Sequence, residues 1–192
     1  MSQSGTEGTI ADLTKLLLRT PRLGMRAVLD MGIRGATLFQ LAALMIVLAS
    51  IVAYGIGALA PAPEGAEGMI APIGYILVAG GNLAVTSVVL YWGGRMIGGT
   101  GDFQDVLLAM SVHQGVTILF QVVFALASLV SPALGAVLLT VGVFYLIYLM
   151  AAYVAEVHGF ESVWKATGLI IGMIFGLAFI LLFLFTLFGQ PV

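Results

Sequence analysis

Few side chains in this sequence can do chemistry, and beyond the N-terminal segment most of the charged ones fall in two short stretches. Asp102 and Asp105 follow the glycine run Gly98-Gly99-Thr100-Gly101, and Glu156, His158 and Glu161 form a second group much further along. Carboxylates and imidazole can share a divalent cation, but no known ligand spacing is present, so no metal site is expected. The same groups, with Arg95 and Phe103, read as a polar rim or as a cytoplasmic surface for a partner: Arg95, Asp102, Phe103, Glu156, His158 and Glu161. The glycine run resembles a phosphate cradle, but no strand precedes it and no P-loop lysine follows. Its glycines are expected to permit tight turns with positive φ.

A third set is uncharged. His113, Gln114, Thr117, Gln121 and Ser128 recur at helical intervals on one face. Inside a membrane such a stripe must face other helices, with Asn82, Thr86 or Thr140 as candidate hydrogen-bond partners. Cysteine is absent, which removes disulfides, thiolate metal sites and thiol nucleophiles. Neither a Ser-His-Asp elbow, an HExxH helix nor an intramembrane carboxylate pair is present. An enzyme is not expected, nor is a cofactor.

The elements that must position these residues follow from composition. The chain is 61% hydrophobic and 8% charged, against roughly 45–50% and about 25% in soluble domains. That excludes a soluble globular protein. No Asp, Glu, Lys or Arg occurs in 35–63, 68–94, 106–155 or 166–192. A helix crosses the hydrocarbon core with roughly 20 apolar residues, so the third run holds two spans, broken at Ser131-Pro132. The sequence predicts an all-α polytopic membrane protein with spans at 35–59, 69–92, 106–130, 132–154 and 166–188. Residues 1–34 form a cytoplasmic amphipathic segment, and 35–192 the five-helix domain.

Residues 1–8 are small and polar and are expected to be disordered; Thr9 starts a helix in capping-box spacing with Asp12. Thr20 is a good N-cap ahead of Pro21, so a kinked pair of short helices should meet there. If the kink is mild, Lys15, Arg19, Arg22 and Arg26 form one stripe opposite Leu13, Leu17, Gly24 and Val28. Such a segment reads as lying along a membrane surface with its cations on lipid headgroups. All seven basic residues fall on one side of the five-span plan, which the positive-inside rule makes cytoplasmic. The expected location is a bacterial inner membrane, N-terminus inside and C-terminus outside.

Two rows of small residues suit close helix packing: Ala49, Ala53 and Gly57 in the first span, and Gly168, Gly172 and Gly176 in the fifth. Packing within the bundle is the expected use, with docking to a partner or a second copy as the alternative.

The segment Tyr91-Trp92-Gly93-Gly94-Arg95, then Gly98-Gly99-Thr100-Gly101 and Phe103, and finally Ala155-Glu156-Val157-His158-Gly159-Phe160, resembles bacterial members of the Yip (Ypt-interacting-protein type) family. Thr20-Pro21-Arg22 ahead of the first span is similar too. The resemblance runs from about Leu16 to Phe188 and implies the five-span plan. Eukaryotic relatives bind Rab-type GTPases through a long cytosolic region and carry an Asp-Leu-Tyr-Gly-Pro motif. Neither is present here, so Rab binding is not implied. The expected function is a noncatalytic scaffold or accessory subunit that binds other membrane proteins or organises lipid, without nucleic acid; the alternative is a small channel or transporter along the polar face of the third span.

Overall fold

The computed structural model describes residues 10–59 and 71–188. The disorder expected of 1–8, the helix start expected at Thr9, the span start expected at residue 69 and the C-terminus expected outside all fall on residues outside them. Seven helices follow in order: α1 (Ile10–Arg19), α2 (Pro21–Asp30), α3 (Gly35–Leu59), α4 (Pro72–Met96), α5 (Phe103–Val130), α6 (Pro132–Val157) and α7 (Val163–Phe188). The fold is all-α, and α3 to α7 are each long and apolar enough to span a membrane.

Four of these helices, α4 to α7, run past the charge-free stretches at one end. Arg95 sits in the last turn of α4 and Asp105 in the first turn of α5, where each charge suits the helix dipole. Asp102 caps α5, its Oδ1 accepting the Asp105 N–H at 2.9 Å. A charge-free run measures the hydrocarbon layer, whereas a helix continues into the headgroups. At the opposite end Ser131 caps α6, with Pro132 in its first turn, so the break falls where the sequence puts it.

Successive spans alternate in direction, which brings the α2–α3, α4–α5 and α6–α7 connections to one end, here called the basic face. Burial concentrates there. On α5 it covers Val106 through Ser111, on α6 Ala151 through Ala155, joined by Met25, Leu90, Phe160, Ala166 and Ile170. Toward the other end large apolar side chains such as Leu129, Val130, Val137 and Phe144 are exposed. Lipid solvates these as well as protein would, so little drives them together.

The break between α1 and α2 is a sharp corner. A methyl group on Gly24 would lie 2.6 Å from Leu17 Cα, although residues that far apart in a straight helix are separated by about 10.5 Å. Thr20 does not cap α2; its hydroxyl donates back to the Leu16 carbonyl at 3.2 Å. The corner divides the four cations into two pairs, so the single stripe expected of a mild kink does not form. The apolar face meets protein: Leu17, Gly24 and Val28 are buried, and Leu13 packs on the core. Tyr153 and Tyr145 of α6 donate their hydroxyls to the Leu17 and Leu18 carbonyls. The amphipathic pair is thus strapped to the bundle itself.

Candidate functional site

At the end of α6 the chain turns through Gly159, φ +66°, and leaves His158 as the terminal cap. Its imidazole is 1% exposed. Nε2 lies 3.2 Å from the Leu90 carbonyl of α4, and the ring stacks on Phe160 with centroids 5.4 Å apart. Lys165 Nζ stands 4.8 Å from the centre of the Phe160 ring. The glycine run closes round this pair. A methyl group on Gly94 would overlap the imidazole, and one on Gly99 would lie 2.6 Å from Nδ1. One on Gly101 would meet Val157 at 2.7 Å, while the Thr100 N–H donates to the His158 carbonyl at 3.1 Å. Of the four residues 98–101 only Gly98 has positive φ, at +87°. Gly99 and Gly101 are small because the imidazole and Val157 leave no room, a reason invisible when the loop is read alone.

Burial holds His158 below the ordinary imidazole pKa, outweighing the opposing pull of the Leu90 carbonyl, and Arg95 adds to the depression. The native ring is neutral where an unfolded one is protonated, so the stability it supports is complete above about pH 6.5 and is lost as pH falls through the depressed native value. Thermal melting of the detergent-solubilised protein should be level above neutrality and decline from about pH 6.5 downward. The decline should flatten in His158→Gln; an equal decline in that variant would clear His158 of the effect.

Glu156, in the last turn of α6, ties the N-terminal helices down. Its side chain is 7% exposed; Oε2 meets Arg22 Nε at 3.0 Å and Oε1 meets Arg26 at 2.6 Å. The terminal nitrogens of Arg22 donate to the Phe160 and Glu161 carbonyls at 2.9 and 3.0 Å. Arg22 therefore clamps α2 onto the same turn that holds His158. A second clasp joins Arg34 to Asp102 at 2.6 Å and to Asp105 at 2.7 Å. Burial alone would raise the Asp102 pKa, but the Arg34 hydrogen bond and the Asp105 N–H hold it below the usual carboxylate range.

These contacts redistribute the expected residues. Arg22 and Arg26 spend their charge on Glu156, whereas Arg19 is exposed and Lys15 pairs with Asp12 at the surface. His158 and Glu156 are interior groups and drop out of the accessible surface; Arg95, Asp102 and Glu161 are exposed, and Phe103 is half-buried edge-on to Tyr91. The carboxylates serve two separate arginine clasps, and among the described residues no three His, Asp or Glu groups converge. Sequence reading missed Arg34, Leu90 and the two tyrosines, whose roles depend on partners distant in the chain.

The stretches around Gly94, Gly99 and His158 thus form one interlocked unit with α2 strapped over it. A family model for the Yip1 domain matches residues 15–187. The chain belongs to the Yip1 domain family. No curated protein and no solved structure matches it. Since the Yip1 match begins inside α1, it takes in the strapped helices together with the five spans.

The polar stripe forms a second locus of this Yip1 protein, within the membrane. His113 Nε2 lies 3.0 Å from the Leu146 carbonyl of α6, and Thr117 donates to the His113 carbonyl at 2.9 Å. Thr140 bonds back to Ala136, and the expected bonds from the stripe to Asn82, Thr86 or Thr140 are not made. Instead Asn82 and Thr86 of α4 face His113, Gln114 and Thr117 across a cleft of about 280 Å³. Gln121, further along the stripe, keeps a buried Oε1 that takes no hydrogen bond among the described residues.

The two small-residue rows have different surroundings. Ala49 is buried, Ala53 half-buried, and a methyl group on Gly57 would reach the Tyr75 hydroxyl of α4 at 3.4 Å. A methyl group on Gly168, Gly172 or Gly176 would meet nothing within 4 Å among the described residues. The α7 row does not pack inside the bundle: α7 lies against α6 and α4 with its glycines turned away from both.

Proposed function

We propose that this protein is a noncatalytic scaffold or accessory subunit of the membrane, docking through α7 against a helix of another membrane protein or of a second copy. The open glycine row of α7 carries this reading. Lipid tails cannot follow a furrow of bare backbone as closely as a second helix can, and small residues at four-residue spacing permit that approach. The positive-inside rule supports placing the basic face in the cytoplasm, with a bacterial inner membrane as the setting. Lys15 and Arg19 are the residues for anionic headgroups, and Arg95, Asp102, Phe103 and Glu161 the accessible surface for a partner.

Gly172→Leu tests it. A Cβ at Gly172 has open space round it among the described residues, so melting in detergent should be unchanged while a partner or second copy no longer copurifies. Undiminished recovery would show that the row faces lipid. Conduction along the polar face of α5 is the competing reading, favoured by the cleft, and saturable solute flux in proteoliposomes would establish it instead.

A further inference from the structure

We propose that the cleft between α4, α5, α6 and α7 binds an uncharged, membrane-dissolved ring compound bearing carbonyl or hydroxyl oxygens, the chemistry of a quinone-like lipid. The first ground is unmet hydrogen bonding. The amides of Asn82 and Gln114 and the hydroxyl of Thr86 line the cleft, and none of them makes a side-chain hydrogen bond among the described residues. Asn82 is exposed on the outer surface of α4. Polar groups left bare in hydrocarbon are costly, and three on one concavity are matched by one ligand with two or more oxygens.

Depth and charge narrow the class. Asn82 lies about 21 Å of helix from Met96, and Gln114 about 16 Å from Phe103, too deep for a phosphate headgroup held at the membrane surface. Among the described residues no Asp, Glu, Lys or Arg lines the cleft, and the ionisable group that does, His113, has its Nε2 at the Leu146 carbonyl, so the lining favours an uncharged ligand. Beside His113 and Thr117, the apolar part of the wall is Leu83 and three thioethers, Met110, Met150 and Met173, from three different helices. Methionine is conformable, and its sulfur makes favourable contact with ring edges. A volume of about 280 Å³ stands just below the range of small-molecule pockets, roughly 300–1,000 Å³. It accommodates a ring head whose tail leaves beside Asn82, whereas a helix about 10–12 Å across cannot enter. The site is separate from the α7 glycine row.

The test uses the full chain in nanodiscs, titrated with a short-tailed ubiquinone and a short-tailed menaquinone while melting is followed. At least one should give a saturable rise in melting temperature. Asn82→Leu and Gln114→Leu should each weaken that binding roughly tenfold, the loss of about one hydrogen bond, and Gly172→Leu should leave it intact. Asn82 is exposed, so its replacement keeps the fold even if Gln114→Leu does not. The proposal fails if neither quinone gives a saturable rise, if hexadecane gives the same rise, or if both variants bind as well as the parent. It also fails if Asn82→Cys, the sole cysteine in that variant, crosslinks in native membranes to a polypeptide across the cleft.

Discussion

Gly94→Ala should be among the most costly single methyl groups that could be added to this protein. The new carbon would overlap the His158 ring at Nε2 and Cε1, and the ring cannot retreat without giving up Leu90 and its stack on Phe160. Overpacking typically costs about 1–3 kcal/mol, and losing the buried hydrogen bond adds about 1 kcal/mol, together a large fraction of the roughly 5–15 kcal/mol by which domains are stable. Gly81→Ala, with open space round its Cα, serves as the control and should be neutral or slightly stabilising through helix propensity. Melting in detergent measures both. The diagnostic comparison is Gly94→Ala combined with His158→Ala, which should recover part of the loss because the offending ring is gone. A double variant as unstable as the sum of the two singles would mean that Gly94 is required for some other reason.

Glu156→Gln should release the N-terminal helices while leaving the spans folded. The substitution keeps the shape but removes the charge that Arg22 and Arg26 share. Removing one partner of a fully buried pair costs about 3–5 kcal/mol. Here Arg22 and Arg26 are 35% and 62% exposed and can rehydrate, so about 1–2 kcal/mol is the appropriate scale. The effect should be local: faster amide exchange and protease cleavage within 10–30, with α3 to α7 protected as before. Global unfolding, or unchanged protection of α1 and α2, would contradict the strapping role. Arg22→Ala should act in the same direction and also free the Phe160 and Glu161 carbonyls.

What the sequence conveyed well was whatever depends on neighbours along the chain. The helix count came from runs without charge, the Ser131-Pro132 break from a local cap, and the α1–α2 junction from Pro21. What it concealed depends on residues far apart. Glu156 and His158 carry types that normally sit at a surface, and only the arrival of Arg22, Arg26, Leu90 and the glycine loop makes them interior. The small-residue rows of α3 and α7 have the same spacing, yet the first meets Tyr75 and the second faces outward, because the periodicity of a helix face does not say which neighbour fills it. Likewise the polar stripe was legible as a stripe, but its failure to bond with Asn82 and Thr86 depends on how far apart α4 and α5 stand.

The concentration of burial at one end also has a mechanical side. A span longer than the local bilayer accommodates by tilting, and tilting disturbs least where helices share the fewest contacts. At the end bearing Leu129 and Val130 the outward faces of α5 and α6 are exposed and these two helices hold only each other, Gly135 against Ser128 and Gly142 against Phe124, whereas the end bearing the Arg22 and Arg34 clasps is held by side chains from several elements at once. Differences in membrane thickness are therefore expected to be taken up away from the clasps, as staves spread below a fixed hoop, which insulates the geometry round His158 from the bilayer in which the protein sits.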